Sequence, residues 1–206
     1  MARSRPVLLT AALSAAAVLG YLTYRLAGLG GADAPATSAG DAPGAAALQA
    51  VETLPDFSLA NLEGEQQSIK SWPGKPLLIN FWATWCAPCL REIPMLKELQ
   101  AARSDLQVVG IAIDKYDPVV EFARNMEFNY PILVGQSEAW AAAGALGVNI
   151  YALPFTIFTG ADGSILGVHT GELHAEHLAA FRAAVDDLAA GRIGVEEARA
   201  RLANPI

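Results

Sequence analysis

The 206 residues contain two cysteines, and both lie in one motif, Trp85-Cys86-Ala87-Pro88-Cys89. Two thiols three positions apart can exchange a disulfide with a partner, close a structural bridge, or supply half of a metal site. The neighbouring sequence bears on that choice. An apolar run at residues 77–83, LLINFWA, ends just before the motif and reads as a buried strand. Residues 86–102 read as a helix. Cys86 is therefore expected at a helix N-terminus, where unpaired N–H groups and the positive end of the dipole favour a thiolate. Cys89 follows one turn later on the same side, within reach for a disulfide. Pro88 fits the first turn, where its missing N–H has no intrahelical acceptor. The arrangement predicts an exposed attacking sulfur and a sheltered resolving sulfur, as dithiol–disulfide exchange requires.

The other two readings are weaker but stay open. Zinc would need two more ligands. The three histidines, His169, His174 and His177, lie at least 80 residues beyond Cys89 with no finger-like spacing. His174 and His177 read as exposed residues at the start of the last helix. Soft thiolates nonetheless suit copper(I) or zinc, so a metal-handling dithiol is the alternative function. A purely structural bridge across so short a loop gains little chain entropy.

The elements that must position the motif follow from periodicity and turn residues. Residues 56–59 and 67–69 flank Asn61–Gly64, a hairpin signal. Strands are expected at 77–83, 107–114 (QVVGIAID) and 131–134, and helices at 86–102, 118–128 and 138–146. Residues 155–159 and 164–169 flank Ala161-Asp162-Gly163 as a second antiparallel hairpin. A helix at 174–190 follows, and 195–202 suits a further short one. The order β-β-β-α-β-α-β-α-β-β-α predicts an α/β sheet carrying an antiparallel hairpin.

The 53% hydrophobic content is an average over unlike segments. Of 40 alanines, 16 fall in the first 50 residues. Residues 6–24 form a 19-residue run without charge, preceded by Arg3 and Arg5 and followed by Arg25. As a helix this run would span roughly 28 Å, near the hydrocarbon thickness of a bilayer, with the basic N-terminus inside. A cleaved signal peptide is the alternative, with Ala32-Asp33-Ala34 as a cleavage form that Pro35 makes awkward. Residues 26–47, rich in Ala, Gly and Pro, read as a flexible tether with a reach of roughly 25 Å. Setting aside Arg3, Arg5, Arg25, Asp33 and Asp41 leaves 11 basic and 19 acidic residues. That balance excludes a nucleic-acid binder, which needs a basic footprint.

The segment NFWATWCAPCLREIPML (80–96), with LPFTIF (153–158) further on, resembles the thioredoxin fold. More narrowly, it is similar to the TlpA/ResA/DsbE group of membrane-anchored thiol–disulfide oxidoreductases of the bacterial cell envelope, over about residues 54–188. The resemblance implies a thioredoxin-like fold, a central mixed β-sheet flanked by helices, with an N-terminal β-hairpin extension and a preceding transmembrane helix. With the segments read above, the chain divides into an anchor or signal peptide (1–25), a linker (26–47), a thioredoxin-like domain (48–190) and a C-terminal tail (191–206) that suits a short helix. The resemblance implies Cys86 as nucleophile, Cys89 as resolving cysteine, Pro154 as a cis-proline facing the dithiol and Trp85 as a border of the site. It further implies Pro94 as a kink in the first long helix, and Glu92 as an acidic group beneath the dithiol that relays a proton. Blander readings exist for three of these: an ordinary trans Leu-Pro turn, a core tryptophan, and a solvated glutamate. The chain departs from ordinary thioredoxin at Asn80, where that protein has a buried Asp, so any buried-acid function falls to Glu92. A peroxidase is disfavoured, because the region after LLINFWA carries paired cysteines rather than a lone peroxidatic one.

The expectation is therefore an enzyme without a cofactor, a protein-disulfide reductase. Its partners would be exported client proteins of the cytochrome c maturation or copper-site assembly type, and a membrane electron donor of the DsbD/CcdA type. The expected location is the cytoplasmic membrane, single-pass, with the catalytic domain in the periplasm or at the outer face.

Overall fold

A computed structural model describes residues 51–148 and 152–203. The expected anchor and linker lie outside these residues, and among the described residues no helix is long and apolar enough to cross a membrane. Seven strands form one sheet: β1 (Ser58–Ala60), β2 (Gln66–Ser68), β3 (Leu77–Trp82), β4 (Gln107–Ile113), β5 (Ile132–Gly135), β6 (Phe155–Thr159) and β7 (Ile165–Thr170). Among the described residues five helices accompany them: α1 (Ala87–Ala102), α2 (Tyr116–Met126), α3 (Ser137–Ala145), α4 (Ala175–Ala189) and α5 (Val195–Ala203).

The strand order is β2-β1-β5-β4-β3-β6-β7. β3, β4 and β5 are parallel, whereas β6 and β7 on one side and β1 and β2 on the other run antiparallel to their neighbours. This is the mixed sheet of the thioredoxin-like expectation, with β1–β2 as the N-terminal hairpin. In that hairpin Asn61 Oδ1 accepts from the backbone N–H groups of Glu63 and Glu65 at 3.1 and 2.8 Å. Gly64 follows at φ +82°, a conformation that favours glycine.

β3 and β4 are buried at every position, which explains their unbroken apolar runs. Strand alternation sends Leu78, Asn80 and Trp82 to one face and Ile79 and Phe81 to the other. The first face packs on Cys89, Ile93 and Leu96 of α1, Val119 of α2 and Phe181 of α4. The second packs on Ala139 and Ala143 of α3, with Phe81 stacked on Phe155 at 4.3 Å between ring centroids.

Boundaries moved where side-chain periodicity is silent about the backbone. α2 begins at Tyr116, two residues before the expected Pro118. The first turn has no intrahelical acceptors for its N–H groups, so Pro118 is tolerated inside it. α1 runs through Pro94 without interruption. The C-terminal helix α5 buries Ala198, sets Leu202 against Gly167 and donates from Arg199 Nε to the Ile165 carbonyl at 2.9 Å.

Candidate active site

The dithiol stands where β3 hands over to α1. Cys86 is the N-cap of α1 with extended backbone, and its sulfur accepts from the Cys89 N–H at 3.4 Å. One orphan donor of the helix's first turn is thus aimed at the sulfur expected to carry negative charge. The two cysteines are disulfide-bonded, with Cα atoms 5.3 Å apart. Cys89 is fully buried, as the resolving position implies, but Cys86 is only 5% exposed. The expectation of an exposed Cys86 is corrected here: bonding to the inward-facing Cys89 draws its sulfur into the core layer beneath α1.

The turn leading into the motif is held on two sides. The Cys86 N–H donates to the Ala83 carbonyl at 3.2 Å. Asp114, just past β4, accepts from the Thr84 N–H at 3.2 Å and from its Oγ1 at 2.5 Å. Trp85, between these fixed points, is 70% exposed, so the core reading is excluded.

Pro154 is buried and follows a cis Leu153–Pro154 peptide bond. Its placement comes from register. Phe155 pairs with Phe81 in an antiparallel ladder, so Pro154 lies at the end of the sheet from which the chain leaves β3 toward the cysteines.

Glu92, one turn beyond Cys89, is 1% exposed, which excludes a solvated role. Its Oε1 accepts from Asn80 Nδ2 at 2.7 Å and its Oε2 from the Leu173 N–H at 2.8 Å. Burial pushes this carboxyl up to about 7, against the smaller opposing pull of the Leu173 and Asn80 hydrogen bonds. Asn80 also donates to Thr156 Oγ1 at 3.0 Å. The Gly171–His174 segment that supplies Leu173 is tied to α1 by Arg91, whose guanidinium pairs with both Glu172 carboxylate oxygens.

Two members of the network around Glu92 escaped sequence reasoning: Thr156, which accepts from Asn80, and the Leu173 N–H, which donates to Glu92 itself. Thr156 left a trace, as a polar residue in an apolar strand, whereas a backbone donor such as Leu173 N–H leaves none. The three histidines do gather, with His169 and His177 ring centroids 3.9 Å apart and His174 5.7 Å from His177. Yet among the described residues no group of His, Cys, Asp or Glu side chains is arranged to hold a metal.

Residues 49–187 match the Redoxin family. The chain belongs to the Redoxin family. Among its relatives, the thioredoxin-like protein YneN of Bacillus subtilis is 34% identical over 131 residues, 61% of this chain and 74% of that protein. The thiol–disulfide oxidoreductase ResA of Geobacillus thermodenitrificans is 31% identical over 129 residues, 61% and 72% of the two chains. A thioredoxin-family thiol:disulfide interchange protein from Chlorobium tepidum has 30% identity and a TM-score of 0.53, covering 59% of this chain and 87% of that one. A secreted Mycobacterium tuberculosis disulfide oxidoreductase described as homologous to E. coli DsbE has 27% identity and a TM-score of 0.53, covering 62% and 95%. This Redoxin family member is a thiol–disulfide oxidoreductase of thioredoxin-like fold, with Cys86 and Cys89 as its redox pair.

Proposed function

We propose that the protein reduces disulfides in exported client proteins from the outer face of the cytoplasmic membrane, anchored by residues 1–25 and tethered by 26–47. The Cys86 thiolate attacks one sulfur of a client disulfide; a Cys86–client bond forms, the client bond breaks, and the departing client thiolate takes a proton from water. Cys89 then passes its proton to Glu92 and attacks the Cys86 sulfur. The Cys86–Cys89 disulfide forms and the second client thiolate leaves. The client gains two electrons and the chain loses two, which a membrane donor of the DsbD/CcdA type restores. In this reading Trp85 and Pro154 border the place where the client's extended chain binds.

The observation that carries this reading is Glu92, a buried carboxyl without a cation, one turn from the resolving cysteine and poised near neutrality. The reductive direction is supported by the Ala87-Pro88 dipeptide, which lacks the histidine of the strongly oxidising DsbA type. Clients whose cysteines must be reduced before a haem or copper site is assembled suit that direction.

The decisive test is trapping. In the full chain, Cys89→Ser is expected to accumulate mixed disulfides through Cys86 that identify the client. No excess over Cys86→Ser would overturn the exchange mechanism. Equilibration with glutathione near DsbA's potential of about −120 mV would overturn the reductive direction, and recovery of the full chain away from membranes would overturn the anchor.

A further inference from the structure

Asn80 sits at the middle of β3, where a side chain on this face meets α1, and β6 lies alongside. Its two amide hydrogens are divided between the elements that build the site. One reaches Glu92 Oε1 on α1 at 2.7 Å; the other reaches Thr156 Oγ1 on β6 at 3.0 Å, two residues beyond Pro154. Asn80, Glu92 and Thr156 are all essentially excluded from water, so no solvent can replace either bond. Asn80 and Thr156 are also direct partners in the β3–β6 ladder.

We propose that Asn80 is a positioning residue for thiol exchange: its amide holds the Glu92 carboxyl in place, favours its charged form, and ties it to the strand bearing Pro154. This rests on Glu92 accepting the Cys89 proton. An amide suits the task because it donates a hydrogen bond to the carboxylate without adding a charge. A carboxyl at residue 80 would compete with Glu92 for one proton, since two carboxylates at this separation do not both ionise readily. The amide thus leaves one buried acid at the site, and that acid lies on the helix of the cysteines.

The other groups around Glu92 are accounted for. From α1 there is Cys89 itself, one turn away. From the Gly171–His174 segment come the Leu173 N–H and, at longer range, Glu172, whose charge is paired with Arg91. Tyr130, ahead of β5, interacts with Glu92 electrostatically and is kept protonated by burial. Asn80 is the neutral side chain that bonds the carboxylate directly.

The test uses the full chain carrying a preformed glutathione mixed disulfide at Cys86, and follows glutathione release from pH 5 to 9. In the parent protein the rate is expected to rise with a midpoint near neutrality. Asn80→Ala should raise that midpoint by about 1 pH unit, the equivalent of one hydrogen bond to a charged group. Asn80→Asp, of equal shape, should raise it further and carries the test if Asn80→Ala does not fold. Thr156→Val should give a smaller shift. In a Glu92→Gln background, Asn80→Ala should move nothing further. If Glu92→Gln leaves the profile unchanged, the proton-acceptor reading fails and this proposal with it. If Glu92→Gln removes the midpoint while Asn80→Ala and Asn80→Asp leave it in place, the role of Asn80 alone is overturned.

Discussion

Glu92 and Asp105 stand 13 positions apart on either side of the end of α1, and their surroundings drive their carboxyls in opposite directions. Asp105 has a side chain 63% exposed and accepts from Arg103 Nε and Nη2 at 2.8 and 2.7 Å, a forked ion pair that holds it down to about 2. The same guanidinium also reaches Asp186 at 2.6 Å. Glu92 lies in the core with neutral donors on both oxygens, and burial pushes it up to about 7. The contrast shows how surroundings decide whether a carboxyl holds its proton near neutrality. A cation fixes the charge at every physiological pH, whereas burial with hydrogen bonds but no cation leaves the proton nearly balanced.

The sign of each contribution to stability follows. The folded state binds a proton at Glu92 more tightly than the unfolded chain does, so stability declines as pH rises from about 4.5 through 7. Asp105 contributes stability that is present above about 3.8 and is lost as pH falls through 2.

Two substitutions, read in three measurements, separate the two regions. The largest effect is kinetic: Glu92→Gln should slow resolution of a Cys86 mixed disulfide by about 100-fold near pH 7, the lower range of general acid–base contributions, as read by stopped-flow release of the client thiol. Next comes stability. Denaturant unfolding of Glu92→Gln against the parent should show the variant gaining about 2 kcal/mol relative to the parent between pH 5 and pH 8, superimposed on any constant offset from placing an amide against two N–H donors. The smallest effect belongs to the surface pair. Asp105→Asn should change stability by less than about 1 kcal/mol, and by less again in high salt, with no effect on the resolution rate. A pH-independent difference for Glu92→Gln, or a large one for Asp105→Asn, would break the comparison.

Much of this site was legible in the sequence because its main parts lie on strongly patterned elements. LLINFWA has to be a strand buried on both faces, and the residues after it begin a helix, so Cys86 falls at the cap and Cys89 and Glu92 one and two turns in. The order of strands and helices followed from apolar runs and turn residues in the same way. What sequence could not supply was depth and pairing. Cys86 read as exposed because a helix N-terminus usually faces solvent, and its burial depends on tertiary packing around the disulfide. Asn80 drew notice only as the departure from ordinary thioredoxin, and nothing local says that it meets Glu92 and Thr156, residues 12 and 76 positions away. The Leu173 N–H is invisible to any reading of side chains, because every residue other than proline carries that donor.

The contrast between the two carboxyls can be measured in one experiment. Carbon-detected NMR titration of the side-chain carboxyls in the oxidised protein would follow Glu92 and Asp105 together, with Asp105 as an internal reference. A Glu92 midpoint near 7 beside an Asp105 midpoint near 2 is the expected result. A Glu92 midpoint at the ordinary value of 4.5 would contradict it, and with it the proposal that Glu92 takes the Cys89 proton.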